Sequence, residues 1–302
     1  MERSLNVDIP ERVSEFEVLL KKVLPKNILY RLVRTKGFEF DGYRGYANDE
    51  DASNIDWKAS VRANQLLARR YIEEQDLKFM FFIDVSDDMV FGSTEKLKCE
   101  FTAEFSAALI HLILIAGSKA GFVLFSDKVV KMILPQPGRK LFDSFCYEIS
   151  DPLNYGGNSD LNFILEEFTK TMNRDTSLVF LISDFIKMDS NYKKNLEILS
   201  GIFETIAIIV RDPLDMFLPL LNKEIVIEDP ESGEKILINP KVAKNAYEFY
   251  SAEQLKMVKK IFEDCDIDFL ELYTKDSSSE RIAEFIKERI RGGRKQKFKN
   301  VP

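Results

Sequence analysis

The hydrophobic pattern of this chain changes character at Lys78. From there, short apolar runs alternate with amphipathic stretches in the order strand, helix, strand. Residues 79–83, 121–126, 177–183 and 203–210 read as short buried strands, and residues 267–273 as the last strand. Near-continuous apolar strands belong to parallel sheets covered on both faces. Between them the pattern predicts helices over residues 94–118, with Ser93 as cap and Glu95 in the first turn, over 139–149, up to about Met172, over 190–200, up to about Cys265 and over 279–291. Residues 128–134, closed by Pro135 and Pro137, read as an edge strand. Asp212-Pro213 is a break, and residues 224–238 suggest a hairpin around Ser232-Gly233. Strands alternating with helices give an α/β fold class with a doubly wound, mostly parallel sheet.

Ahead of Lys78 the pattern differs. Val13, Phe16, Leu20 and Val23 recur at helical spacing until Pro25, as in a helix that docks on the main domain. Residues 37–46 look like a glycine-punctuated hairpin, and an acidic loop follows over 49–51. Ile55, Asp56, Trp57, Lys58, Ala59, Ser60, Val61 and Arg62 come next, then Arg69, Arg70 and Tyr71 before the acidic pair Glu73 and Glu74. Trp57 is the only tryptophan. It reads either as the filler of a groove, with Asp56 and Arg62 in ion pairs, or as part of a partner surface. The expected organisation is an N-terminal extension over 1–75, the α/β domain over 76–291 with a hairpin and helix insertion near 220–265, and a basic tail over 292–302 that reads as a solvated end.

Composition narrows the function classes. With 302 residues and 45% hydrophobic positions, a sizeable core is expected. The net charge of −7 argues against broad nucleic-acid or anionic-membrane binding. Cys99, Cys146 and Cys265 are far apart and without metal-ligand spacing, which fits reduced thiols in a cytoplasm. The first residues lack the apolar core of a signal peptide. The longest apolar run, 107–116, is interrupted by His111 and too short to span a bilayer, so a soluble, cytoplasmic chain is expected.

The candidate chemistry lies where strands end. Asp84-x-Ser86-x-Asp88 follows the first apolar strand, Ser159-Asp160 opens a helix, and Asp184 follows the third strand. Ligands of open α/β sheets bind outside the carboxyl ends of the strands. Hydroxyls and carboxylates are hard ligands suited to Mg2+ or Mn2+, and these loops hold no histidine or cysteine, which disfavours zinc. Carboxylates brought together there repel by roughly 4 kcal/mol per pair at ~4 Å and an effective dielectric of about 20, and a divalent cation relieves this.

These residues are similar to the metal-ion-dependent adhesion site of von Willebrand factor A domains, in which Asp-x-Ser-x-Ser, a distant Thr and a later Asp hold a metal with one position open for a partner's carboxylate. The resemblance implies metal ligation by Asp84, Ser86, Asp88, Ser159 and Asp184. Asp88 stands where that pattern has Ser, and Ser159 where Thr is usual; the extra carboxylate implies tighter metal and weaker capture of a partner carboxylate.

A second resemblance spans residues 37–185. Arg44-x-Tyr46, Ile55-Asp56-Trp57-Lys58-Ala59-Ser60-x-Arg62, Asp84-x-Ser86 and Phe91-Gly92 resemble the bacterial family called domain of unknown function 58. That family usually has Gly-Asp after the tyrosine and an Arg shortly before Ile-Asp-Trp, where this chain has Asn48-Asp49 and Ser53. Its members are often encoded beside MoxR-type AAA+ ATPases, and many carry transmembrane helices. The resemblance implies a non-enzymatic adaptor for such an ATPase, in maturation of other proteins or envelope stress.

The competing reading is a metal-dependent phosphatase or other hydrolase using Asp84, Asp88 and Asp184. Phosphatases of the haloacid-dehalogenase type need a second Asp two positions after the nucleophile, where this chain has Ser86. A two-metal nuclease is weakened by the negative charge. The lone His111 lies in an apolar helix and reads as a core residue, and no glycine-rich phosphate loop with Lys-Ser/Thr is present. Without a metal, Asp84 and Asp184 would simply cap their loops.

Overall fold

The structure is a computed structural model that describes residues 5–23, 40–46, 55–71, 77–171, 174–219, 223–228 and 235–292. The acidic loop 49–51, the turn at Ser232-Gly233, the family departures at Asn48-Asp49 and Ser53, and the basic tail from 293 lie outside the described residues. The chain divides into two compact units, one of residues 1–33 with 77–302 and one of residues 34–76.

In the larger unit the strands are β3 (Lys78–Asp84), β4 (Lys119–Phe125), β5 (Val129–Gln136), β6 (Leu178–Ser183), β7 (Thr205–Arg211) and β10 (Asp268–Tyr273). They form one sheet in the order β10-β7-β6-β3-β4-β5, all parallel except β5, which runs antiparallel to β4 as an edge strand carrying Pro135. The expected α/β fold with a mostly parallel sheet is therefore what the chain adopts. Side chains alternate between two cores. Phe79, Phe81 and Ile83 of β3 face one, with Phe122, Leu124, Phe180 and Ile182; Met80 and Phe82 face the other, with Val123, Phe125, Val179 and Leu181. Burial on both faces is the physical reason for the uninterrupted apolar runs. Gly121 belongs to this packing: a Cβ there would lie 2.6 Å from the Ile133 carbonyl oxygen of the neighbouring strand.

The helices of this unit are α1 (Ile9–Val23), α3 (Lys98–Ile115), α4 (Arg139–Ser150), α5 (Leu161–Thr171), α6 (Lys193–Ile202), α7 (Pro213–Met216), α8 (Pro240–Asp264) and α9 (Ser278–Gly292). α3 and α4 cover the first core; α5, α6 and α8 cover the second. The chain before α1 is tied to α3 by buried carboxylates. Glu100 accepts from the Asn6 backbone N–H, and Glu104 from that of Asp8 at 2.8 Å. α1 then packs along α3, as expected of a docking helix, and His111 of α3 reaches Glu17 of α1 at 3.0 Å. β8 (Ile225–Glu228) and β9 (Lys235–Ile238) pair as the anticipated hairpin ahead of α8.

Two local expectations are corrected. Residues 37–39 of the expected hairpin lie outside the described residues, and residues 40–45 do not fold back on themselves: β1 (Phe40–Gly45) pairs antiparallel with β2 (Leu67–Tyr71), on the far side of α2 (Trp57–Ala63). Gly42 and Gly45 lie within the strand, and its hydrogen-bonding partner is remote in sequence. Ser93 does not cap the following helix. Its N–H donates to Asp212 Oδ2 at 2.8 Å and its hydroxyl to the other carboxylate oxygen, while the helix begins five residues later, where Glu100 accepts from the Leu97 N–H.

Candidate functional site

From β3 the chain runs outward to β4 and β5, then crosses back to add β6, β7 and β10 on the other side. The direction reverses between β3 and β6, and the crevice at the carboxyl ends of those two strands is where open α/β sheets bind ligands. Asp84 ends β3, Ser183 ends β6, and Asp184 follows it directly.

Asp84 is almost completely buried. One oxygen accepts from the Ser86 backbone N–H at 2.9 Å. The other accepts from two hydroxyls, Ser159 at 2.8 Å and Ser183 at 2.7 Å. Ser159 is brought in by a glycine loop laced to the loop after β3. Gly156 N–H donates to the Val85 carbonyl at 2.9 Å, Asp87 N–H to the Gly157 carbonyl at 3.0 Å, and Gly157 N–H returns to Asp87 Oδ2 at 3.0 Å. Gly157 has φ +83°, and a Cβ there would sit 3.0 Å from Asp127 Oδ1, so this position requires glycine. Despite its hydrogen bonds, the Asp84 carboxyl is held above its ordinary value, first by burial and second by the negative charge of Asp184.

The other two carboxylates anticipated from the sequence each face a lysine. Asp184 Oδ2 lies 2.6 Å from Lys98 Nζ, and its Oδ1 accepts from the Ile186 N–H at 3.0 Å. Burial pushes Asp184 up, but the charges of Lys98 and Arg211 outweigh it and hold the carboxyl below its ordinary value. Asp88 Oδ2 lies 2.7 Å from Lys187 Nζ. Thus Asp84 and Ser159 are joined directly, Asp184 is close enough to act on Asp84 electrostatically, and Asp88 is engaged by a lysine.

The Ser86 hydroxyl is fully buried, lies against Asp84 and makes no hydrogen bond of acceptable geometry within the protein. Thr102, Ser106, Ser118, Ser278 and Ser279 have buried hydroxyls in the same state, so what sets Ser86 apart is its place beside Asp84 at the strand ends. The donor set Asp84, Ser86 and Ser159 is all oxygen and fits a hard divalent cation. Among the described residues, no group of three or more His, Cys, Asp or Glu side chains is arranged to hold a metal, so any ion here relies on hydroxyls.

Several residues of the site were not anticipated. Ser183 holds Asp84, although the Ser-Asp pair closing an apolar run was visible in the sequence. Lys98 lies in the first turn of α3, inside the core, and also reaches Asp215 Oδ2 at 3.3 Å. Gln254 of α8 donates to the carbonyls of Phe185 at 2.8 Å and Ile186 at 2.6 Å and accepts from Arg211 at 2.8 Å. It thereby braces a loop in which Phe185 holds φ +52°. The thiols lie outside this chemistry: all three cysteines are free, and burial pushes Cys99 and Cys146 up to about 12 and Cys265 to about 11.

The family described as protein of unknown function DUF58 matches residues 42–257. No curated protein sequence matches the chain significantly. Similar solved structures include the conserved hypothetical protein BatB from Bacteroides thetaiotaomicron, 13% identical, covering 70% of this chain and 98% of that one with a TM-score of 0.48. An aerotolerance-related membrane protein from Bacteroides fragilis is 12% identical, with 71% and 98% coverage and a TM-score of 0.44. A von Willebrand factor type A protein from Catenulispora acidiphila is 12% identical, with 74% and 43% coverage and a TM-score of 0.41.

Proposed function

The chain belongs to the DUF58 family of proteins of unknown function, and we propose that it is a non-enzymatic protein-interaction module whose docking end is the crevice between β3 and β6. One observation carries the metal-dependent form of this reading: the Ser86 hydroxyl, buried beside Asp84 at the strand ends with no hydrogen bond of good geometry. Asp84, Ser86 and Ser159 would hold Mg2+ or Mn2+, while Asp88 and Asp184 would join only if the ion displaced Lys187 or Lys98. A bound ion would supply a Lewis-acidic position able to receive a carboxylate of the partner. The partner implied by the family resemblance is a MoxR-type AAA+ ATPase, with this chain as a cytoplasmic adaptor. Among the described residues no helix is long and apolar enough to cross a membrane.

Burial also disfavours the hydrolase reading. A nucleophilic carboxylate must meet its substrate, whereas Asp84 is 1% exposed and tied by three hydrogen bonds, with Ser86 where an acid would stand. Calorimetric titration of Mg2+ and Mn2+ into the wild type and Asp84→Ala tests the proposal. Saturable binding lost in the variant, with metal-dependent capture of a purified MoxR-type ATPase and no phosphatase turnover, is the expected result. Absence of binding by calorimetry and a second method overturns the metal-dependent form.

A further inference from the structure

Residues 34–76, taken by themselves, carry a second candidate surface. A groove of about 700 Å³ is lined by Tyr43 of β1, by Ile55 and Asp56, and by Trp57, Lys58 and Arg62 of α2. That size accommodates one or two large side chains. The Trp57 side chain is not buried as a filler: it is 63% exposed, and Tyr43 is 47% exposed. Exposed aromatic residues beside an arginine are the chemistry of binding hot spots.

Charge decides what the groove would accept. Asp56, which also lines the groove, is engaged by its own neighbours: Oδ1 caps α2, accepting from the N–H groups of Lys58 and Ala59, both at 3.1 Å, and Oδ2 accepts from the Tyr43 hydroxyl at 3.5 Å, so the two cations exceed the one carboxylate. Lys58 and Arg62 are exposed and form no ion pair among the described residues. They stand four residues apart on one helix face, an arrangement in which like charges repel. An acidic ligand relieves that repulsion, while a basic one adds to it. Nucleic acid is the poorer anion here, because the chain as a whole carries −7.

We propose that this groove binds an acidic peptide segment of another protein, with one aromatic or aliphatic side chain seated against Trp57 and carboxylates on Lys58 and Arg62. The inference is independent of the metal reading, since it uses none of the residues around Asp84.

The test selects short random peptides from a displayed library on the full chain, then titrates the enriched peptides while following fluorescence. Trp57 is the only tryptophan, so its emission reports the groove directly. The expected peptides carry acidic residues around a Phe, Leu or similar anchor. They shift Trp57 emission to the blue, bind less tightly as salt rises, and lose about tenfold or more in affinity for the double variant Lys58→Glu with Arg62→Glu. Both substituted positions are exposed, and an unchanged circular dichroism spectrum establishes that the variant is folded. Failure to enrich any peptide, enrichment of basic or uncharged sequences, equal binding to the folded double variant, or binding without a change in Trp57 emission overturns the proposal.

Discussion

Lys98 Nζ lies 2.6 Å from Asp184 Oδ2 within the core, on a side chain that is almost fully buried. Burial works against the lysine's charge, yet the charges of Asp184 and Asp215 raise its affinity for the proton above the ordinary value. The lysine sits in the first turn of α3, where the helix dipole disfavours it, so the two carboxylates must be what keeps it there. Asp184 and Asp215 thus share Lys98, with the charge of Arg211 acting on both.

Lys98→Met is expected to destabilise the fold by about 3–5 kcal/mol, because it leaves Asp184 charged and unpaired in the core. Adding Asp184→Asn should recover a large part of that loss, since pairs in contact are not additive. Urea denaturation of the two single variants and the double variant measures the coupling. Additive effects would show that the pair does not act as a unit.

How much of this was legible in the sequence follows from the range of each interaction. The strands were readable because a strand buried on both faces must be apolar throughout, and Asp84, Ser159 and Asp184 were readable because they follow or precede such elements. The partner of β1 was not, because glycine announces a turn but not which strand pairs across it. Ser93 carried the local signature of a cap and was captured instead by Asp212, a tertiary contact that local pattern cannot reveal. Nothing in the local pattern singles out Lys98; only packing shows that it is the counterion of Asp184.

Gln254 offers a way to loosen the site from a distance. Its amide braces the Phe185 and Ile186 carbonyls, and Phe185 occupies a left-handed conformation that costs a residue with a side chain roughly 1–2 kcal/mol. Gln254→Ala should cost about 1–3 kcal/mol and speed amide hydrogen exchange in residues 184–188 while leaving β3 protected. Exchange that rises equally in β3 would mean global destabilisation instead of local release.

The raised proton affinity of Asp84 makes a prediction about stability and pH. The folded chain holds this proton more tightly than the unfolded chain, whose aspartate titrates near 3.8. Stability contributed by the group is therefore full below that value, falls as pH rises through the higher folded value, and stays lost above it. Asp84→Asn has no such loss. Without added metal, its stability relative to wild type should improve between pH 4 and pH 8, by on the order of 1 kcal/mol. Denaturation midpoints at the two pH values measure the difference, and a relative stability that worsens with pH would show that the hydrogen bonds to Asp84 outweigh its burial.

Ser86 separates the metal reading from a purely structural one. Its hydroxyl lies against Asp84 without a hydrogen bond of good geometry, so removing it breaks at most a weak one. Ser86→Ala should match the wild type within about 1 kcal/mol when divalent ions are chelated. Magnesium at a hundred times its dissociation constant should stabilise the wild type by about 2.7 kcal/mol, because it binds the folded chain alone. If Ser86 is a ligand, the same concentration should give the variant roughly half that gain, the effect of a tenfold weaker site. Thermal melts with and without magnesium measure both quantities. A wild type that gains nothing at any concentration removes the metal from the site. Equal gains in the two proteins retain the metal and remove Ser86 from its ligands.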